Sequence, residues 1–330
     1  MSTKQYMRKA SLIVGNVDEH ALDLSELRFQ FSTRRGDFQT PNSADIRIYN
    51  VSDKTADRIR QTLPQPEFTR IVVQGGYDGN FGVLFDGEII QVRHGRESPT
   101  DTYLDITAAD GDSAYNYSVT AMSLAAGSTP NDEVSAILKD MARHGVTAGH
   151  VPDLPGNPLP RGKVIYGMSR DALRNVAENT QTSWSIQDGK LQMVPETSYI
   201  EGEIPVITSA TGMIGLPTQT QNGINVRVLL NPNIKIGQAI KLDNKSIQGF
   251  RFGLGVKQQL GNENAEALAK VNNDGLYYVM LAEHSGDTRG DAWYSDLVCL
   301  AIDASVRPSI KSSARFPLGS DYFGAIKRRG

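Results

Sequence analysis

Gly215-Leu216-Pro217-Thr218-Gln219-Thr220, running on to Leu229-Leu230-Asn231-Pro232-Asn233-Ile234-Lys235-Ile236-Gly237-Gln238, and then Asp274-Gly275-Leu276-Tyr277-Tyr278-Val279 through His284-Ser285-Gly286-Asp287-Thr288-Arg289-Gly290, decide the reading of this chain. Short apolar and β-branched runs punctuated by Gly, Pro and Asn are the pattern of strands joined by hairpins. Val226, Val228 and Leu230 recur at every second position, Ala239-Ile240-Lys241-Leu242 continues after a turn at Gly237, and the last strands run from Leu276 to Glu283 and from Trp293 to Ile302. Residues 204–305 therefore read as a β-barrel, with an insertion at about 246–274 carrying a glycine-spaced loop and a short helix from Asn264 to Val271.

Working outward, residues 1–112 show the same period of two. Leu27, Phe29 and Phe31 alternate with Arg28 and Gln30, and Ile46 and Ile48 alternate with Arg47 and Tyr49. Ser52 caps a short helix through Ala56, Ile59 and Leu63, which Pro64-Gln65-Pro66 ends. Ile71 to Gln74 begins another strand, Gly75-Gly76 permits a sharp backbone change, and Val83 to Phe85 leads through an Asp86-Gly87 hairpin into Glu88 to Val92. Tyr103, Asp105 and Thr107 then face one way while Leu104 and Ile106 face the other.

Residues 113–203 change character. Thr129 caps a helix that begins at Pro130 and places Val134, Ile137, Leu138 and Met141 on one face before Gly145 stops it. Residues 151–162 are rich in proline and cannot continue a regular element. Ser169 caps a second helix with Leu173, Val176 and Ala177 inward, and Asp188-Gly189 then joins two alternating strands between Trp184 and Met193. The fold class is α+β, mainly β: two antiparallel barrels flanking a small α/β domain.

Formal charge is −3, so no global positive field recruits nucleic acid. Cys299 is the only cysteine and lies in the apolar run Leu297 to Ile302, where it reads as a small buried hydrophobe. Behind the basic residues of the N-terminus stands only Leu12-Ile13-Val14, which fits neither a signal peptide nor a membrane anchor. Synthesis and assembly in a cytosol follow as the expectation.

The strand blocks at 215–238 and 274–290, together with Ile46-Arg47-Ile48-Tyr49-Asn50, Gly75-Gly76-Tyr77 and Leu84-Phe85-Asp86-Gly87-Glu88-Ile89, resemble the baseplate hub proteins of contractile-tailed bacteriophages, relatives of the first half of type VI secretion spike proteins. The resemblance implies tail-tube-like barrels at 1–112 and 204–305, with the α/β domain at 113–203 inserted between them. It implies a homotrimer whose six barrel positions match a sixfold tail tube protein on one side and whose threefold ring meets a central spike protein on the other, beside other baseplate proteins. DNA would pass through the bore, the location would be the virion tail baseplate, and assembly would take place in the host bacterial cytoplasm. Because the sequence carries no repetitive β-helical extension, the spike is expected on a separate polypeptide.

Tyr49, Gly75, Gly76, Tyr77, Phe85, Gly87, Gly215, Pro217, Asn231, Pro232, Gly237, Gly286, Asp287 and Trp293 are the candidate turn or interface residues. Residues 306–330 form a basic, aromatic tail that reads either as a solvated, disordered end or, through Arg307, Arg315, Phe316, Tyr322 and Phe323, as a candidate docking arm for a neighbouring tail component.

Two rival classes stay open in the sequence. Glu283, His284, Asp287 and Asp291 would suit a tail-associated cell-wall hydrolase, against the plainer view that Gly286 and Gly290 make this a solvated hairpin turn. Tyr49, Tyr77, Phe85, Tyr115 and Tyr117 would suit a carbohydrate-binding tail protein, against the plainer view that strand aromatics pack. His20, His94, His144, His150 and His284 show no metal-binding spacing, and Gly156 to Val164 fails as a phosphate loop because two prolines remove amide donors. No enzyme activity, metal or cofactor is expected.

Overall fold

The computed structural model describes residues 6–15, 21–60, 69–196, 198–220, 223–242 and 275–302. The expected insertion at 246–274 and the tail at 306–330 with Arg307, Arg315, Phe316, Tyr322 and Phe323 lie outside these residues, as do His20, Leu63 and the Pro64-Gln65-Pro66 stop.

The N-terminal block gives β1 (Arg8–Val14), β2 (Leu22–Asp23), β3 (Phe29–Gly36), β4 (Ser43–Tyr49), α1 (Asp53–Arg60), β5 (Arg70–Tyr77), β6 (Asn80–Arg96) and β7 (Thr102–Ala109). The middle gives α2 (Asp112–Tyr117), β8 (Val119–Leu124), α3 (Pro130–Met141), β9 (Thr147–Ala148), β10 (Lys163–Met168), α4 (Ser169–Thr180), β11 (Thr182–Gln187) and β12 (Lys190–Pro195). The C-terminal block gives β13 (Val206–Ile207), β14 (Met213–Thr220), β15 (Gly223–Leu229), β16 (Ala239–Leu242), β17 (Leu276–Asp287) and β18 (Trp293–Ala301).

The chain is mainly β and is dominated by one large, curled sheet that is antiparallel apart from the short β13–β16 pair. Its main path runs β14-β15-β18-β17-β3-β4-β7-β6-β5-β1-β2, so the two strand-rich blocks share a single sheet joined where β17 pairs with β3. The joint is a continuous register from Leu281↔Gly36 to Asp287↔Gln30. Period-two burial runs as the sequence predicts: Phe29 and Phe31 on β3, Ile46 and Ile48 on β4, and Leu104 and Ile106 on β7 point into one core. Leu230 and Trp293 of the C-terminal block belong to that same core. A second core gathers Val226, Val228, Tyr277, Leu297 and Cys299, and burial pushes the Cys299 thiol pKa upward.

Helix signals are read well where they are local. The hydroxyl of Ser52 accepts from the Thr55 amide at 3.2 Å and opens α1. Thr129 and Asp132 form a reciprocal capping box at the start of α3, and Gly145 takes φ +83° just past its end. Leu173, Val176 and Ala177 of α4 face the core of the middle unit together with Trp184 and Ile137.

Four expectations are corrected. Gly75 and Gly76 make no sharp change; β5 runs through them to Tyr77, and the reversal falls at Asp78-Gly79. Asp86-Gly87 is not a hairpin, because β6 is one uninterrupted strand from Asn80 to Arg96. Gly87 serves close approach: a Cβ there would lie 2.7 Å from the carbonyl oxygen of Ala109 on β7. Ser169 does not cap α4, since Met168 occupies that position; its buried hydroxyl instead bonds Ser118 at 2.7 Å and Thr120 at 2.8 Å. Finally, Glu283 to Asp287 lies within β17, not in a hairpin turn, and the turn follows at Thr288 to Ala292.

Candidate functional site: the seam between the two strand-rich blocks

Most of the sequence-chosen residues meet where β17 and the 230–237 loop lie against β3, β5 and β6. Trp293 is buried, sets its edge against Phe31 at 5.5 Å between centroids, and donates its indole N–H to the Gly76 carbonyl at 3.3 Å. Room for the ring comes from glycine. A Cβ on Gly286 would lie 2.5 Å from the Phe31 ring and 2.7 Å from that of Trp293. Gly76 holds φ +148° with Asn80 so near that a Cβ would fall 2.0 Å from its carbonyl oxygen. Tyr77 and Phe85 belong to the same core, and Gly75 lies against Leu84 and Leu230.

The 230–237 loop closes the seam on its other side. Asn231 accepts from Asn80 at 3.1 Å and from the Asn233 amide at 3.0 Å, while Asn233 donates back to Asn80 at 2.9 Å. Pro232 lies over Gly82, and Lys235 donates to the Val83 carbonyl at 3.2 Å. Gly237 turns the chain with φ +85° into β16. Gly215, at φ +73°, and buried Pro217 stand apart from the seam, in a bulge of the edge strand β14. Pro in a bulged edge strand withdraws a donor from open pairing.

The exposed face of the seam is a charge ladder. Cross-strand register sets Arg227, Asp296, Glu283 and Arg34 in one row across β15, β18, β17 and β3. A second row sets Asp287, Gln30, Arg47, Asp105 and Arg93 across β17, β3, β4, β7 and β6. Asp296 and Glu283 face each other directly, a repulsive placement. Each is taken by an arginine on its outer side, Arg227 at 2.7 Å and Arg34 at 3.4 Å. Arg47 forks onto Asp105 at 2.7 and 2.9 Å and stacks on Tyr103, and Arg28 stacks on Tyr49 at 4.6 Å while pairing with Asp287 at 2.8 Å. Each row carries as many arginines as carboxylates, so the face is polar but neutral.

The proposed catalytic cluster does not converge. Glu283 and His284 are neighbours on one strand and therefore point to opposite faces. His284 is buried, bonded to Ser295 at 2.7 Å, and pushed down to about 3 by its burial and by the nearby charges of Arg35 and Lys235. Partial burial would raise the Asp287 carboxyl, but hydrogen bonds from Arg28, Gln30 and the Arg289 amide hold it down to about 2. No group of three or more His, Cys, Asp or Glu side chains could hold a metal among the described residues. Among the aromatics weighed for stacking, Tyr77 and Phe85 are buried, whereas Tyr117 is exposed.

These two groups predict an acid limb. Both have folded pKa values below their unfolded ones, so the unfolded chain binds more protons as pH falls. The contribution of these two groups is full above about pH 6.5, is lost first through His284, and is lost further below about pH 4 as Asp287 begins to bind protons in the unfolded chain, whereas Asp110, whose pKa burial raises to about 6, acts in the opposite sense between about pH 6 and 4. Urea titrations at stepped pH on the parent and on His284→Gln should diverge between about pH 6.5 and 4, the parent losing stability relative to the variant as pH falls. An unchanged pH profile in that variant would refute the assignment.

A polar junction that sequence reasoning missed ties the middle unit to the sheet. Arg35, 4% exposed, donates to the Leu84 carbonyl at 3.1 Å, to Gln187 at 3.2 Å and to Asp188 at 2.8 Å. Asn42 donates to the Ile186 carbonyl at 2.9 Å and to Gln187 at 3.0 Å. The Asp110 carboxylate accepts from the amides of Asp188 and Gly189 at 2.6 and 2.8 Å, yet its burial raises its pKa to about 6. The only signals in the sequence were a polar Asn and Asp next to apolar strands.

With this geometry in hand, the chain matches the family model described as "Baseplate hub gp41" over residues 13–247. The chain belongs to the baseplate hub gp41 family. It is thus a component of a phage tail baseplate, a structural setting in which a buttressed seam and a neutral sheet face have uses that a catalytic cluster would not. Among solved structures, the hub is similar to the 43 kDa tail protein of prophage MuSo2 from Shewanella oneidensis, with TM-score 0.54, 9% identity, and 90% of this chain and 98% of that one covered. It is also similar to a tail protein from Neisseria meningitidis MC58, with TM-score 0.53, 12% identity, and coverage of 90% and 97%. A third likeness, at TM-score 0.47 and 11% identity over 88% and 77%, is to an Escherichia coli type VI secretion component described as similar to bacteriophage T4 tail proteins. No curated protein matches the sequence.

Proposed function

We propose that three copies of this hub form a ring with pseudo-sixfold symmetry that joins the sixfold tail tube to the threefold central spike and leaves a bore for DNA. In this reading residues 1–112 and 204–305 act as two tube-like units, residues 113–203 form the α/β domain beside them, and neither role involves catalysis. The observation that carries the proposal is the neutral polar face, to which both strand-rich blocks contribute. A wall of that kind suits passage of DNA, because an excess of cations would hold phosphate by counterion release. Arg227, Arg34, Arg47 and Arg28 are already paired with carboxylates, and Arg93 donates to Gln91. Neighbouring copies would meet beyond the seam, where Val206, Ile214 and Leu216 leave an apolar patch at the β14 edge.

Assembly in the host cytoplasm, beside the tube, spike and other baseplate proteins, completes the proposal. A reconstruction of the assembled particle tests it: three chains per baseplate, with the two strand-rich blocks at alternating and equivalent positions around one ring, is the expected result. Any other stoichiometry, or blocks at different heights along the axis, would overturn it.

A further inference from the structure

The middle unit carries a second exposed surface, on β8 and β10. β8 and β10 form a two-stranded sheet whose inner side packs on the helices. Its outer side presents Val119 and Ala121 on one strand and Val164 and Tyr166 on the other, with Tyr166 opposite Ala121, Val164 opposite the exposed Ser123, Val119 opposite Met168, and Tyr117 just before β8. Tyr166 is 85% exposed, Val164 75% and Tyr117 71%. No charge stands among these five positions, whereas the outer face of the large sheet alternates Arg with Asp or Glu. At about 200 Å² per tyrosine ring the patch leaves roughly 400–500 Å² of apolar surface open, the size at which a patch marks a docking site. Both edges of this sheet are also open to a third strand among the described residues.

We infer that this face is the seat of the chain's own C-terminal segment, residues 303–330. The argument is where that segment starts and how long it is. β18 ends at Ala301, paired with Tyr277, and its neighbour Leu300 pairs with Tyr278. The Tyr278 hydroxyl bonds Asp37, which also accepts from Ser183 of β11 in the middle unit at 2.7 Å. The segment therefore leaves the sheet beside the middle unit. Phe316 stands fourteen residues past Ile302, about 45 Å of extended chain. A unit of this size is roughly 30–35 Å across, so Phe316, Leu318, Tyr322 and Phe323 can reach any part of its surface. They are the apolar residues that an uncharged face needs, and the segment's cations would remain in water. The inference concerns the isolated chain and stands apart from the ring.

Trypsin digestion of the full chain tests it, because Arg315 directly precedes Phe316. In the double variant Val164→Asn/Tyr166→Asn, which adds no trypsin site, cleavage after Arg315 should run at least about tenfold faster than in the parent at unchanged far-UV circular dichroism. Equal rates would overturn the proposal. So would protection that grows with protein concentration and tracks a dimer lost in the variant, since the occupant would then be a second copy. Should the double variant not fold, Phe316→Lys/Tyr322→Lys, which alters no described residue, should raise hydrogen exchange in β8 and β10 of the full chain, and unchanged exchange would overturn the proposal equally.

Discussion

Trp293→Ala is expected to lower the unfolding free energy by about 3–5 kcal/mol, measured as the shift in a denaturant midpoint at constant slope. The ring is 1% exposed and lies in the N-terminal core although it comes from the C-terminal block. Its removal opens a cavity that the surroundings cannot fill, because two of its walls are backbone: Gly286 on β17, and Gly76, whose carbonyl accepts the indole N–H. That carbonyl would also lose its partner, adding to the transfer and cavity terms. Phenylalanine keeps the volume without the donor, so Trp293→Phe should recover more than half of the loss. A change below about 1 kcal/mol for alanine would mean that the seam does not rest on this ring.

Arg35→Ala should cost about 3 kcal/mol and act on a different boundary. Removing one member of a buried ionic group leaves the other members desolvated and unpaired. Here the Leu84 carbonyl, Gln187 and Asp188 lose their shared donor, though Asp188 is 30% exposed and water offsets part of that loss. Arg35→Lys should restore little, since one ammonium cannot copy the fork that reaches three acceptors. Arg34→Ala is the matched control. That arginine is 56% exposed and pairs with a half-exposed Glu283, so its loss should fall within about 1 kcal/mol. Hydrogen exchange gives the second readout: amides of β11 and β12 should open well before those of β3 and β4 in Arg35→Ala, because the junction is what couples the middle unit to the sheet. Uniform acceleration across all four strands would place Arg35 in the general core instead.

Local signals were legible wherever a residue's own backbone or its near neighbours decide the outcome. Asp188-Gly189 reads as a two-residue hairpin because both positions must take positive φ, and both do, at 53° and 71°. The cap of α3 reads equally well, since Thr129 and Asp132 satisfy each other within three residues. Asp86-Gly87 has the same letters as the hairpin but a different cause. Its glycine answers to Ala109 on a neighbouring strand, and nothing within the local stretch reveals that neighbour. Ser169 is similar, for its hydroxyl is claimed by Ser118 and Thr120, about fifty positions earlier.

The seam lay beyond local reading for the same reason. Alternation told that β3 and β17 each have one apolar face, yet any two such strands satisfy that pattern. Phe31 meets Gly286 only because a glycine there admits the ring, and Arg34 meets Glu283 only in that register. The carboxylates of β17 could be read as a cluster from their spacing, but the strand pleat sends His284 inward and leaves Asp287 to Arg28. By itself the sequence determined the mainly β character, the positions of the helices, the resemblance to baseplate hubs and the buried cysteine, because periodicity, capping and turn chemistry act over a few residues. Only the tertiary structure decided that the two blocks share one sheet, that their joined face is electrically neutral and that no described residue covers the β8–β10 face, because those follow from steric and charge complementarity between residues as many as two hundred and fifty positions apart.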